Sequence, residues 1–232
     1  MKENKKYSER SIGEIVTEDF RAAEIFKNAG IDFCCGGNKS LNTACSEKSI
    51  DPEIILTKLE DMEKTPAGNN MNYKDWDISF LADYIVNTHH KFVLKSLPEL
   101  VFYTQKIANV HGMNHSELNE VADLFIDINR ELLQHLQKEE EVLFPAIKEA
   151  LKSNNSEAKA IIKTEIERMS TEHEFAGAAM DKINELTSNY RIPDDACNTY
   201  IVSLKLLQQF EDDLHIHVHL ENNILYPKAL RI

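Results

Sequence analysis

One pattern occurs twice in the chain. HLQKEEEVLFP runs from His135 to Pro145, and HVHLENNILYP runs from His217 to Pro227. Both read H-x3-E-x3-L-[FY]-P. A spacing of four places His and Glu one turn apart on the same face of a helix. The Leu four residues on continues that face. Proline is costly inside a helix, so it bends or ends each helix at the same distance from the pair. The chain must therefore supply two helices, each offering one imidazole and one carboxylate at matched depth. That arrangement reads as two halves of a metal site. A single copy would read equally well as an amphipathic helix with His and Glu at its surface.

The rest of the sequence suits such helices. Only 7 Gly and 6 Pro interrupt 232 residues, which favours long helices over a strand-and-turn architecture. Four long helical patterns follow residue 76: about 79–110, about 117–152, about 156–189, and about 194–229. Short breaks separate them, at His111–Ser116, Ser153–Ser156 and Asn189–Asp194, and short connections favour antiparallel neighbours. The expected fold is all-α, an up-down four-helix bundle over 76–232 with a small helical domain before it. At about 1.5 Å per residue such helices reach ~45 Å, long enough for a bundle with a buried polar centre.

The preceding domain covers residues 1–64, its first ten residues charged and frayed. Ser11 to Glu14 is a capping box opening a helix. Gly30 stops the next helix, after an apolar stripe that includes Ala23 and Phe26. Ser40–Glu47 and Pro52–Glu63 read as two more helices, the second with proline in its first turn. Between them and Gly30 lies a loop, IDFCCGGN, carrying Cys34 and Cys35. The two thiols beside Gly36 and Gly37 are candidates for thiolate, redox or transient metal chemistry. Two small residues buried in a tight turn is the plainer reading. Cys45 and Cys197 fall in helical patterns and read as buried small apolar groups. Residues 65–75 form the clearest linker.

A net charge of −13 argues against nucleic acid or an anionic membrane as main partner. No apolar run approaches the roughly 18 residues of a membrane span. The N-terminal residues lead into no apolar segment, so no secretory signal is expected. Four Cys, two of them adjacent, do not resemble a secreted disulfide framework, and a reducing cytoplasm is the expected compartment.

Each long helical pattern carries further histidines. The second and fourth have the His135/Glu139 and His217/Glu221 pairs. The third has His173, beside the small residues Ala176 and Gly177. The first has the doublet His89-His90, and His111 at its end. His90 and His111 are 21 residues apart, about 31 Å along a straight helix. Both reach one site only if the segment bends, and Pro98 is the place for a kink. Glu131, one turn before His135, and Glu172, next to His173, are candidates to orient an imidazole or pass protons. Imidazole and carboxylate without thiolate suit iron, manganese or zinc. The donor set exceeds one tetrahedral zinc site and matches two metals bridged by both carboxylates. A His-rich set in the order His-x3-Glu points to a hemerythrin-type centre rather than a ferritin-like one.

Taken together, these motifs resemble the di-iron, hemerythrin-like iron–sulfur cluster repair family. The resemblance rests on GIDFCCGG (Gly30–Gly37), the two H-x3-E-x3-L-[FY]-P copies, Glu172-His173-Glu174, and SLPEL (Ser96–Leu100) followed by Val110-His111. It implies iron ligands at His90, His111, His135, His173 and His217, with Glu139 and Glu221 as bridging carboxylates between two iron ions. Glu131 and Glu172 fall where the family has acidic groups near the centre. The implied function is repair of iron–sulfur proteins damaged by nitric oxide or peroxide, by supplying iron to damaged or apo clusters. Reduction of nitric oxide to nitrous oxide at the diferrous centre is an enzymatic alternative, and binding or sensing of O2 or NO is a third. The resemblance further implies a cytoplasmic protein, often a homodimer.

Overall fold

A computed structural model describes residues 5–65, 71–153 and 155–232, with the side chains of Lys5 and Lys6 excepted. Of the first ten residues, expected to be frayed, 1–4 lie outside the described residues, as do 66–70 in the middle of the linker and Asn154 in the second break, whereas Lys5–Ser8 is helical. The fold is all-α; the described segments are helices joined by turns and loops. Contacts divide the chain into two compact units, Met1–Leu81 with Val218–Arg231, and Ala82–His217 with Ile232.

The first unit opens with the short helix α1 (Lys5–Ser8), whose Tyr7 hydroxyl donates to Glu63. Helix α2 (Ile12–Glu18) starts at the expected capping box, with the Glu14 amide donating to the Ser11 hydroxyl and Glu14 accepting from the Ser11 amide. Helix α3 (Ala22–Asn28) stops where Gly30 takes φ +65°, a left-handed conformation that glycine adopts without cost. Helices α4 (Leu41–Glu47) and α5 (Pro52–Lys64) start at the N-caps Ser40 and Asp51. Ile12, Val16, Phe26, Leu41, Cys45 and Leu59 form the core of the unit.

Val218–Arg231 belongs to this unit. The CCGG loop is seated on it: Asn223 Nδ2 donates to the Cys34 carbonyl at 3.1 Å and to the Phe33 carbonyl at 3.4 Å. The His219 ring packs edge-on to Phe20 and tilted against Phe33. Gly37 is required here by proximity, since an added Cβ would strike the Asn223 side-chain oxygen and approach the Phe33 carbonyl at 2.8 Å.

The second unit is the helical bundle. Helix α6 (Ile78–Ile85) runs through a π turn, Val86–His90, into α7 (Lys91–His111). Helix α8 (Glu117–Lys138) runs through a second π turn, Glu139–Leu143, into α9 (Phe144–Ser153). Then come α10 (Ser156–Leu186) and α11 (Asn198–Leu220). Leu118, Val121, Phe125, Ile128, Leu132 and His135 are all buried on α8, a helical apolar stripe that delivers His135 to the interior. On α10, Ile162, Ile166, Met169, His173, Ala176 and Met180 do the same for His173. Phe125 and Phe210 meet edge-on at 5.4 Å, tying α8 to α11.

Pro98 sits inside α7, which continues from Lys91 to His111 as one α-helix. The irregularity in this segment lies upstream, at the π turn holding His90. The same device recurs at both motif copies: π turns begin at Glu139 and at Glu221, and Pro145 and Pro227 each stand second in the helix that follows. A proline tolerates that position because its missing N–H falls at a shift of hydrogen-bond register. Among the described residues, no helix is long and apolar enough to cross a membrane.

Candidate metal centre

Inside the bundle, His90, His135, His173 and Glu139 are each no more than 1% exposed, as is His217. The imidazoles converge on the carboxylate. Glu139 Oε2 lies 3.4 Å from His90 Nε2 and 3.3 Å from His135 Nε2. His135 and His173 bring their Nε2 atoms within 3.0 Å of each other. The His217 ring lies 5.0 Å from that of His90, centre to centre. Two sets of donors result. In His90, Glu139 and His217, and again in His135, Glu139 and His173, the candidate ligand atoms lie within 4.8 Å of one another. Glu139 belongs to both. Glu221, one turn beyond His217 on its helical run, is fully buried and opens a π turn as Glu139 does. π turns concentrate at functional positions because they redirect side chains without ending a helix.

The outer nitrogens show which way the rings are set. His90 Nδ1 bonds Glu140 Oε1 at 2.8 Å, and His135 Nδ1 bonds Glu172 Oε2 at 2.9 Å. A carboxylate on Nδ1 fixes the proton there and leaves the Nε2 lone pair facing inward, the arrangement that metal-binding imidazoles use. Burial alone would raise the Glu172 pKa, but hydrogen bonds from His135 and from Lys138 at 2.6 Å hold it down, at about 2. The donors are nitrogen and oxygen, with four imidazoles around a shared carboxylate, and they fit iron, manganese or zinc. Replacing Glu172 or Glu140 with Gln is expected to weaken metal binding by roughly 10–100-fold while leaving the fold intact, as loss of such outer partners does. Competition with a calibrated chelator measures it; unchanged affinity would show that these carboxylates do not orient the ligands.

Of the doublet, His90 is the one that joins the converging set. His89 turns aside, with its Nδ1 2.9 Å from Asp213 Oδ1 and its ring stacked on His217. His111 is not brought to the centre. It ends α7, half-buried, with its Nε2 3.2 Å from Cys197 Sγ and its ring against Tyr200. With α7 unbroken through Pro98, nothing shortens the distance back to His90. Glu131 also stays away: its side chain is 39% exposed and pairs with Arg130. Sequence reasoning missed Glu140, although its place beside Glu139 parallels Glu172 beside His173. It also missed Asp213, one turn before His217.

Cys34 and Cys35 are free thiols, with their sulfurs 4.0 Å apart. The Asp32 carboxylate accepts the amides of Cys34, Cys35 and Gly36 at 2.9, 3.0 and 2.7 Å and so shapes the turn. Cys34 is buried, and its neighbour Cys35 and its burial push its pKa well up, so it is a thiol rather than an accessible thiolate. Cys35 is the more exposed of the two. Next to them His219 is buried and neutral, its pKa lowered to about 4 by loss of water. Cys45 is buried as expected, whereas Cys197 is exposed at the start of α11 rather than buried within it. It precedes the first regular turn, where the core stripe has not begun.

A helical bundle with imidazoles gathered around a buried glutamate defines a cation-binding protein of the hemerythrin class. Residues 81–229 match the hemerythrin HHE cation binding domain. Residues 8–63 match a separate domain of unknown function, DUF542, also called ScdA_N. The chain is similar to the iron–sulfur cluster repair protein ScdA of Staphylococcus epidermidis, with 34% identity over 94% of this chain and 96% of that one. ScdA of Staphylococcus haemolyticus is 34% identical, over 95% and 98%. The iron–sulfur cluster repair protein YtfE of Pectobacterium atrosepticum is 33% identical, over 97% and 98%. The chain belongs to this family of hemerythrin-like iron–sulfur cluster repair proteins.

Proposed function

We propose that the protein repairs iron–sulfur clusters damaged by nitrosative or oxidative stress, and that it holds a pair of iron ions as the iron it supplies. The observation that carries this reading is the sharing of Glu139 by two donor sets, since a carboxylate can give one oxygen to each of two ions. His90 and His217 would hold one ion, and His135 and His173 the other. Glu139 would serve both ions, and Glu221, its counterpart in the second motif copy, would by that sequence match be the second shared carboxylate. When bound, the pair supplies ferrous iron and reducing equivalents. The chain's own residues fix that site: Glu140 and Glu172 hold the Nδ1 protons of His90 and His135, and the apolar stripes of α8 and α10 exclude bulk water. Free thiols and the absence of a membrane-crossing helix among the described residues fit a client in the reducing cytoplasm, damaged or apo iron–sulfur proteins.

Metal analysis and transfer test the reading together. The purified protein is expected to carry two irons per chain. An apo iron–sulfur enzyme is expected to regain activity with the iron-loaded protein and not with the metal-free one. A single zinc per chain would overturn the iron pair. Recovery no better than with an equal amount of ferrous salt would overturn the repair role.

A further inference from the structure

The residues around His111 form a second constellation, in the second unit and apart from the metal centre. Cys197 is exposed, and His111 Nε2 lies 3.2 Å from its Sγ. Cys197 also stands immediately before α11, and its carbonyl accepts the Ile201 amide, so it occupies the N-cap position of a 23-residue helix. There its sulfur faces the amides of Thr199 and Tyr200. An imidazole and a helix N-terminus both favour negative charge on sulfur. His115, Glu117, Asp195 and Tyr200 surround the pair. His115 bonds Asp195 at 3.1 Å and Glu117 at 3.2 Å, which sets a histidine between the two nearby carboxylates, and Tyr200 packs against both rings.

We infer that Cys197 and His111 form a thiol–imidazole pair and that Cys197 is a site of oxidation by hydroperoxides. The Cys197 sulfur attacks the terminal oxygen of the hydroperoxide; an S–O bond forms and the O–O bond breaks. Sulfur loses two electrons to give the sulfenic acid, and the peroxide gains them. The hydroxide or alkoxide that leaves takes the thiol proton, passed to it through the His111 imidazole. This chemistry needs neither the metal nor the proposed repair role. The same contacts lower the Cys197 pKa to about 7, first through His111 and then through the Tyr200 amide. Cys34 and Cys45 shift the opposite way.

The test uses the purified full-length protein. Alkylation by iodoacetamide over a pH series, read peptide by peptide, is expected to give Cys197 a midpoint near 7. Stoichiometric hydrogen peroxide followed by a sulfenic-acid trap is expected to label Cys197 ahead of the other three cysteines. His111→Gln should raise the midpoint by about a unit or more and slow both reactions roughly tenfold at neutral pH. A wild-type midpoint near the ordinary ~8.5 overturns the pair whatever the variant does. Peroxide labelling that falls first on Cys35 overturns the site. A folded His111→Gln protein that reacts as fast as wild type overturns the role of His111.

Discussion

Stripping metal from the protein is expected to lower its melting temperature by roughly 10 °C and to broaden the transition. The centre gathers His90, His135, His173, His217 and Glu139 where water cannot reach them. Without a cation, a buried carboxylate and its imidazoles lose hydration and gain only one another, and burying such groups uncompensated costs several kcal/mol. A metal that binds only the folded state adds RT ln(1 + [L]/Kd), about 4 kcal/mol when free metal exceeds Kd by a thousandfold. For a chain of this size each kcal/mol shifts the midpoint by about 2–4 °C. Calorimetry of chelator-treated and reconstituted protein measures the difference. Superimposable melts would mean that the cluster is satisfied by itself, and the buried centre would lose its support.

The parts of this centre that sequence reasoning reached are those that helical spacing alone controls. His135/Glu139 and His217/Glu221 are one turn apart in any α-helix, and His173 lies on the stripe of Met169, Ala176 and Met180 that must face the core. Capping at Ser11, the first-turn Pro52 and the stop at Gly30 were legible for the same reason, since each depends on residues a few positions away. What spacing does not control was harder to read. His111 extends the buried stripe of Val93, Leu97, Leu100, Thr104 and Ile107, and its distance from His90 along the axis stays as the spacing gives it, because the break expected at Pro98 does not occur. An axial distance is fixed once the helix is known to continue, and Pro98 does not interrupt it. The π turns at His90, Glu139 and Glu221 had no visible signal beyond the prolines that follow two of them. The seat of the CCGG loop on Asn223 and His219 joins residues some 190 positions apart, a pairing that no local pattern encodes.

Replacing Glu139 with Ala should have the largest effect of any single substitution at the centre. Glu139 belongs to both donor sets, and it is fully buried between His90 and His135. Removing one partner of a buried charged cluster costs about 3–5 kcal/mol, which corresponds to a loss of metal affinity of roughly 100–5,000-fold. With the pair of ions proposed above, bound metal is expected to fall from two per chain to one or none after dialysis. Glu139→Gln keeps the shape and removes the charge, so it separates the bridge from simple packing: a bridging carboxylate predicts that Gln fails nearly as badly as Ala. His111→Ala and Glu131→Ala provide the contrast, since both side chains lie outside the converging set, and each variant should retain wild-type metal content. Elemental analysis of the four dialysed proteins decides the matter. Full metal content in Glu139→Ala, or its loss in His111→Ala, would mean that the ligands are arranged otherwise than around this shared carboxylate.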